Sequence, residues 1–284
     1  MINCKRKRGI WAYNIGMSKQ NKTLFVVAVP IGNLEDFTHR ATRLLLETEV
    51  VFCESVENAK KLLTLIKNEN KKTFIPYHKF NERDASSKLE SVFEKYSSVV
   101  LISDSGTPGI SDPGAYLVNA ARELGIDVVP VVGASALSAA ISVSGNLEKD
   151  FVFLGFLDRA KLKKEFEKIL SSPHGTQVFY ESPLRIVATL KELAKQSSDV
   201  RLTVLNDITK MHERTYFGSI KDVIVELENN PNHKKGEYVV VVHLPSVGVA
   251  PKSDPKENII DFVLEQKYSK NEIKKIIIEL KKRL

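Results

Sequence analysis

Ser103-Asp104-Ser105-Gly106-Thr107-Pro108-Gly109-Ile110-Ser111-Asp112-Pro113-Gly114 follows directly on the apolar run Val99-Val100-Leu101-Ile102, and this junction decides the fold. Three glycines, two prolines and two carboxylates in twelve residues make a poor surface linker and a good ligand cradle. Glycine supplies backbone shapes and close approach closed to other residues, and proline stiffens what lies between. A buried strand ending in such a loop is where open α/β sheets hold ligands.

The same grammar extends in both directions. Upstream, residues 23–29 form a continuous apolar strand that ends at the turn Pro30-Ile31-Gly32-Asn33. Asp36 or Thr38 can cap the next helix, whose Ala41, Leu44, Leu45 and Thr48 share one stripe. A strand over 50–53, a helix over 58–67, a strand over 73–77 leading to His78, and one charged helix over 82–96 follow. Downstream, a helix near 114–124 stops at Gly125, and 126–131 is again a strand. Strand and helix alternating across short turns predict an α/β fold: a mostly parallel sheet with helices on both faces. Gly133 to Ala140 opens a small-residue helix whose first N–H groups could meet an anion or carboxylate. Residues 145–150 read as the break between two halves.

The second half alternates less regularly, with strands near 151–154, 177–180, 201–205, 215–217 and 238–242 and helices near 161–170, 185–195 and 219–228. Its last strands are expected to be antiparallel, because their links are short. Beyond Pro251 the chain turns charged, and 258–266 and 271–280 read as amphipathic helices. The division expected is a basic tail (1–20), an N-terminal α/β domain (21–134), a C-terminal α/β domain (135–246) and a charged linker with a helical extension (247–284).

The composition, 43% hydrophobic and 27% charged, is that of a globular protein. Of the net charge of +7, four positive charges come from Lys5 to Arg8 and three net from 251–284, which leaves 17–250 neutral. A nucleic-acid partner must then be gripped by local patches rather than a global field. The basic run at 5–8 lacks a following apolar stretch, and no run is long enough for a bilayer, so the cytoplasm is expected and no membrane partner. Residues 1–16 read as an extension ahead of Met17. Cys4 and Cys53 are too few for a disulfide scaffold or a thiolate metal site.

The loop at 103–114 is neither a phosphate loop nor a dinucleotide fingerprint, since its glycines have the wrong spacing. Asp104 and Asp112 could form a metal pair but have no histidine beside them, so no metal is expected. Phe179-Tyr180-Glu181-Ser182-Pro183-Leu184-Arg185 is a second polar strand end. Ser182 reads there as a helix cap with Pro183 in the first turn. An arginine in a first helical turn opposes the dipole, so Arg185 should have a partner to meet. Asn206-Asp207-Ile208-Thr209-Lys210 and Gly236-Glu237-Tyr238 are further polar strand ends. Four of them in one chain predict one cleft between two domains.

VAVPIGNLED (27–36), YHKFNERD (77–84), LISDSGTPGISDPG (101–114), VVPVVGASALSAA (128–140), FYESPLR (179–185), ITK (208–210) and GEYVVVV (236–242) occur in an order that resembles one family. It is the small-subunit ribosomal RNA 2′-O-ribose methyltransferase branch of the tetrapyrrole methylase superfamily. The resemblance spans about 23–243. It implies two α/β domains with S-adenosylmethionine in the cleft between them, a short helical C-terminal extension, and a homodimer. It also implies 2′-O-methylation of a cytidine in small-subunit ribosomal RNA, as free RNA or the assembled subunit.

On that resemblance the cofactor is held by Pro30, Gly32 and Asn33, by Asp104, Ser105, Gly106, Thr107 and Pro108, and by Gly133, Ser135 and Ala136. Phe179, Tyr180, Gly236, Glu237 and Tyr238 border its adenine side. Glu54, Asp104, Glu181, Lys210 and Glu237 are the candidates by position for easing the proton from a ribose hydroxyl. His78, Arg83, Arg185 and Lys210 are the candidate RNA contacts. Three stretches depart from the family pattern. Glu54-Ser55-Val56-Glu57 stands where Glu-Asp-Thr-Arg is usual, Asn206-Asp207 replaces Arg-Glu, and, as a milder change, Gly133-Ala134-Ser135-Ala136 replaces Gly-Pro-Ser-Ala. A charge reversal at Glu57 near the cleft would repel phosphate, so the RNA target is expected to have drifted further than cofactor binding. The competing expectations are a catalytically weak RNA- or ribosome-binding protein and a methylase of a small tetrapyrrole-like substrate.

Overall fold

The computed structural model describes residues 22–146 and 149–244, together with the backbone of a short antiparallel pair, Arg6–Lys7 with Ile10–Trp11. The expected helices at 258–266 and 271–280 and most of the basic tail lie outside the described residues.

The first sheet holds β1 (Thr23–Val27), β2 (Val50–Cys53), β3 (Thr73–Pro76), β4 (Ser98–Ile102) and β5 (Asp127–Val131). All its pairs are parallel, in the order β3-β2-β4-β1-β5. Its central strands are apolar on both faces because both are covered. Phe25, Val51 and Val100 pack under α1 (His39–Glu47) and α2 (Val56–Leu65), while Leu24, Phe52 and Leu101 pack under α3 (Glu82–Ser87), α4 (Leu89–Phe93) and α5 (Ala115–Glu123). Thr38 caps α1 by accepting from the Ala41 N–H at 3.1 Å, and Ser55 caps α2, which therefore starts two residues before the expected position. The single helix expected over 82–96 is two. Ser87 and Ser91 turn their hydroxyls back onto the Asp84 and Lys88 carbonyls on either side of the break at Lys88, the local competition that makes serine a poor interior helix residue.

The second sheet runs β9-β8-β10-β7-β6, with β6 (Val152–Phe156), β7 (Thr176–Glu181), β8 (Arg201–Asn206), β9 (Arg214–Ser219) and β10 (Tyr238–His243). Only its β6–β7 pair is parallel; the later strands are antiparallel. α7 (Leu162–Leu170), α8 (Ile186–Gln196) and α9 (Ile220–Asn229) bury one face. The other face is covered by α6 (Ala136–Val143), whose Ala140 meets Val178, Leu205, Val239 and Val241. The stretch at 145–150 is thus no boundary in the packing: the chain crosses to the second sheet before α6, whose small residues let it lie close. α8 also begins later than expected. Ser182 to Leu184 form a turn, and Arg185 stands at the helix entrance.

Candidate active site

The glycine-rich loop lies where the two sheets face each other. Its Gly106 carbonyl accepts from the Val29 N–H at 2.8 Å, tying the loop to the continuation of β1. Gly106 has φ 73°, and a Cβ there would stand 3.3 Å from the Ile31 side chain. The Thr107 hydroxyl donates to the Ala134 carbonyl at 3.0 Å. α5 has no cap of its own, so two side chains satisfy its first N–H groups: Gly114 N–H donates to Glu82 at 3.0 Å and Leu117 N–H to the Tyr77 hydroxyl at 2.9 Å. Tyr77 donates in turn to Glu82 at 3.2 Å.

Between the loop and the second sheet is a cavity of about 340 Å³. One wall is Ile31, Ser105, Gly106, Thr107, Ile110, Ser111 and Asp112; the other is Ser135, Ala136, Phe156, Tyr180, Glu181, Glu237, Tyr238 and Val239, with Ser182 and Pro183. A neighbouring cavity of about 350 Å³ shares Ile31, Ser105 and Glu237 and reaches Pro30, Gly32, Asn58, Asp104 and Lys210. The Tyr180 ring meets Phe153 and Phe156 edge-on at 4.9 and 5.6 Å, and burial raises its hydroxyl above the ordinary tyrosine value.

The polar groups at these strand ends have distinct occupations. Asp104 accepts from the Ser55 N–H at 3.1 Å and from the Asn58 amide at 2.8 Å. Glu181, buried, accepts from Ser182 N–H at 2.6 Å, from the Thr189 hydroxyl at 2.6 Å and from Arg185 at 2.8 Å. Lys210 reaches Glu237 at 2.9 Å and Asp207 at 3.1 Å. Burial works against its charge, but those two carboxylates outweigh it and hold the ammonium above the ordinary lysine value. The Lys210 stem passes so close to Gly32 that a Cβ there would sit 2.4 Å from its Cγ. Beside it the Thr209 hydroxyl donates to Asp36 at 2.5 Å, a bond between the two halves of the molecule. Glu54 is raised by burial and then by Asp104. Asp112 is pushed up to about 7, first by burial and then by the nearby Glu54, Asp104 and Glu237 carboxylates.

Several sequence-derived placements change. Phe179 points into the core against Phe166, away from the cavity, because neighbours along a strand face opposite ways. Asn33 caps the short turn Leu34–Asp36, and neither it nor Pro108 lines a cavity. Gly133 is a packing glycine, since a Cβ there would meet the Ala28 side chain at 2.9 Å. Gly236 has φ 83° and makes room for the Asp207 carboxylate. Arg185 meets Glu181 at 2.8 Å, the partner its unfavourable place at the helix entrance calls for. Arg83 is exposed and lies over the Tyr116 ring at 5.4 Å. His78 donates its backbone N–H to Asn81 at 2.7 Å, and its Nδ1 is buried with no hydrogen-bond partner. Glu57 pairs with Lys61 at 2.7 Å on the solvent side of α2 and lines neither cavity. Ile31, Ile110, Asp112, Phe156 and Val239 were not singled out as cavity residues. Strand alternation with Tyr180 as reference could have found Val239, its register partner.

Residues 23–224 match the family model for tetrapyrrole (corrin/porphyrin) methylases. The chain is 39% identical over 219 residues to a Hydrogenobaculum protein called ribosomal RNA small subunit methyltransferase I, covering 77% of this chain and 94% of that one. A protein of the same name from Bacillus subtilis is 32% identical over 264 residues, covering 90% and 89% of the two chains. Among solved structures, a uroporphyrin-III C-methyltransferase from Thermus thermophilus complexed with S-adenosylhomocysteine aligns with TM-score 0.53 at 18% identity, covering 78% of this chain and 97% of that one. A diphthine synthase aligns with TM-score 0.58 at 14% identity, covering 79% and 90%.

Proposed function

The chain belongs to the tetrapyrrole methylase family, and we propose that it is an S-adenosylmethionine-dependent methyltransferase for the 2′-hydroxyl of a cytidine in small-subunit ribosomal RNA, working as a cytoplasmic homodimer. The observation that carries the reading is the cavity between the glycine-rich loop and the second sheet, in a chain whose relatives bear that RNA methyltransferase name over most of their length. The lining fits such a cofactor. Its volume lies in the range of small-molecule sites, Ile31, Phe156, Tyr180 and Val239 offer apolar faces to a purine, and the carboxylates suit a cation. Gly106 leaves space that a Cβ would fill against Ile31.

When bound, the cofactor supplies a methyl group made reactive by its sulfonium. The loop and Ser135–Ala136 would hold it from opposite sides. Lys210 and Glu237 line the neighbouring cavity beside Gly32, and Asp207 braces Lys210 there. What these residues contribute is alignment of a weak nucleophile with the methyl, and exclusion of water that would compete. In the segment that Glu82 ties to the end of the glycine-rich loop, Phe80 is almost fully exposed beside Lys79, and Arg83 with Tyr116 adds a cation and a ring. Such a surface suits unstacked RNA bases and phosphates better than a tetrapyrrole. Glu57 is paired with Lys61 on the surface, which offsets its negative charge.

The test is transfer of labelled methyl from S-adenosylmethionine to small subunits lacking the modification, with the modified nucleotide mapped. The expected product is a 2′-O-methylcytidine. Methylation confined to a base, or of a tetrapyrrole alone, would refute the reading. Sedimentation would separately test the dimer.

A further inference from the structure

Resting on that methyltransferase reading, we propose that Asp112 is the catalytic base, lining the cavity and taking the proton of the hydroxyl that is methylated. The geometry removes the other candidates. Asp104 is held by Ser55 and Asn58, and Glu181 by Ser182, Thr189 and Arg185. Glu237 and Lys210 are paired with each other. Glu54 stands against Asp104 and His78 and does not line the cavity. Asp112 does line it, and makes no ion pair with another described residue.

Its direction is built into the backbone. Ser111 adopts φ 65°, a costly conformation for a residue with a side chain. Gly155 of β6, at φ 64°, approaches so closely that a Cβ would stand 3.0 Å from the Ser111 hydroxyl oxygen. Strand β6 of the second sheet thus packs closely on the turn that carries Asp112. The groups facing Asp112 are all anionic or neutral: Glu54 after β2, Asp104 in its own loop, Glu237 entering β10, Tyr180 on β7, and the Ser103 hydroxyl. Burial and these carboxylates push Asp112 up to about 7, with the Ser103 hydroxyl opposing. A base is most effective with its pKa near the working pH.

In the transfer step the hydroxyl oxygen bonds to the methyl carbon as the carbon–sulfur bond breaks, and that electron pair stays on sulfur. The O–H proton passes to the Asp112 carboxylate and later to water. One positive and one negative charge disappear together, a change that a partly buried site favours over bulk solvent. Before transfer, a cation beside Asp112 draws it into the carboxylate form, releasing its proton.

The experiment is calorimetry of S-adenosylmethionine and of S-adenosylhomocysteine binding near neutral pH, in two buffers of different ionisation heat. Single-turnover methyl transfer across pH is measured alongside. The wild type is expected to release more proton with the cationic ligand than with the neutral one. Asp112→Asn should bind both with no such difference and transfer methyl on the order of a hundredfold more slowly or worse. Asp112→Glu should restore the proton release and part of the rate. Equal proton release by the two ligands in the wild type, or an Asp112→Asn rate within a few fold of wild type, would overturn the assignment while leaving the methyltransferase standing. Failure of the wild type to bind either ligand would overturn both.

Discussion

Replacing Glu181 by Gln separates a brace from a base. Glu181 is 6% exposed and receives three donors, from Ser182, Thr189 and Arg185. Gln keeps the shape: its Oε1 can replace the oxygen that accepts from both Ser182 and Arg185, while the Thr189 hydroxyl can turn to accept from the new amide. The unavoidable loss is the negative charge opposite Arg185. Removing one partner of a fully buried pair costs about 3–5 kcal/mol, but the Arg185 side chain is 36% exposed, so water can take up much of its charge. The lower part of the range for a charge-assisted bond then applies, about 2 kcal/mol. For a protein of this size that lowers the melting temperature by roughly 4–8 °C. A brace predicts this destabilisation with methyl transfer reduced less than about tenfold, against the 10²–10⁴ expected for loss of a base. Thr189→Val, which deletes one donor, should cost about 1 kcal/mol and add less than its full effect to the Gln variant. Thermal melting together with single-turnover transfer decides the matter. An unchanged melting temperature with transfer lost a hundredfold would refute the brace and return Glu181 to the chemistry.

Gly236→Ala should destabilise by roughly 2–4 kcal/mol, since its φ is 83° and the new methyl would overlap an Asp207 carboxylate already held by Lys210; urea midpoints read this, and an unchanged midpoint would mean that Asp207 moves freely. For Asp112 the folded pKa is raised, so the native state binds more protons than the unfolded one between about 4 and about 7, and stability falls as pH rises through that window. Asp112→Asn should flatten this slope; the full shift converts to roughly 4 kcal/mol, and solvent reaching a partly exposed carboxyl brings it to roughly 2. Cys53 is buried and its thiol is pushed up to about 12 by burial and then by Asp104, so a thiol reagent should label it no faster than the protein unfolds. Glu57→Arg should change small-subunit affinity only slightly, and the change should vanish at high salt, because the side chain faces solvent.

The elements that sequence made legible are those whose signal is local. Continuous apolar runs marked the parallel strands, the glycine-rich run marked the loop that lines the cavity, and the short links of the second half marked its antiparallel strands. Arg185 was legible in kind: a cation in an unfavourable place needed a partner, and Glu181, four residues earlier, is that partner. What escaped depends on tertiary neighbours. α6 precedes the polar break yet packs on the second sheet, because Ala140 finds its surface there. Phe179 and Tyr180 are adjacent in sequence but face opposite layers. Asp112 reads as half of a weak metal pair with Asp104, since nothing local reveals that Glu54 and Glu237 also come near it from separate segments.

Two of the stretches that depart from the family pattern, 54–57 and 206–207, each support groups that line the cleft. Ser55 caps α2 with its hydroxyl and gives its N–H to Asp104, so it fixes the carboxylate at the start of the glycine-rich loop. Asn206 is buried and donates to the carbonyls of Lys235 and Glu237, holding the turn in which Gly236 makes room for Asp207. Asp207 then secures Lys210 against Gly32. Neither substitution leaves a charge without a role at the cavity wall, and each supports a residue that lines one of the two cavities. These braces act on both sides of the cleft, through groups that line the two cavities, and they leave the exposed Phe80, Arg83 and Tyr116 outside their reach.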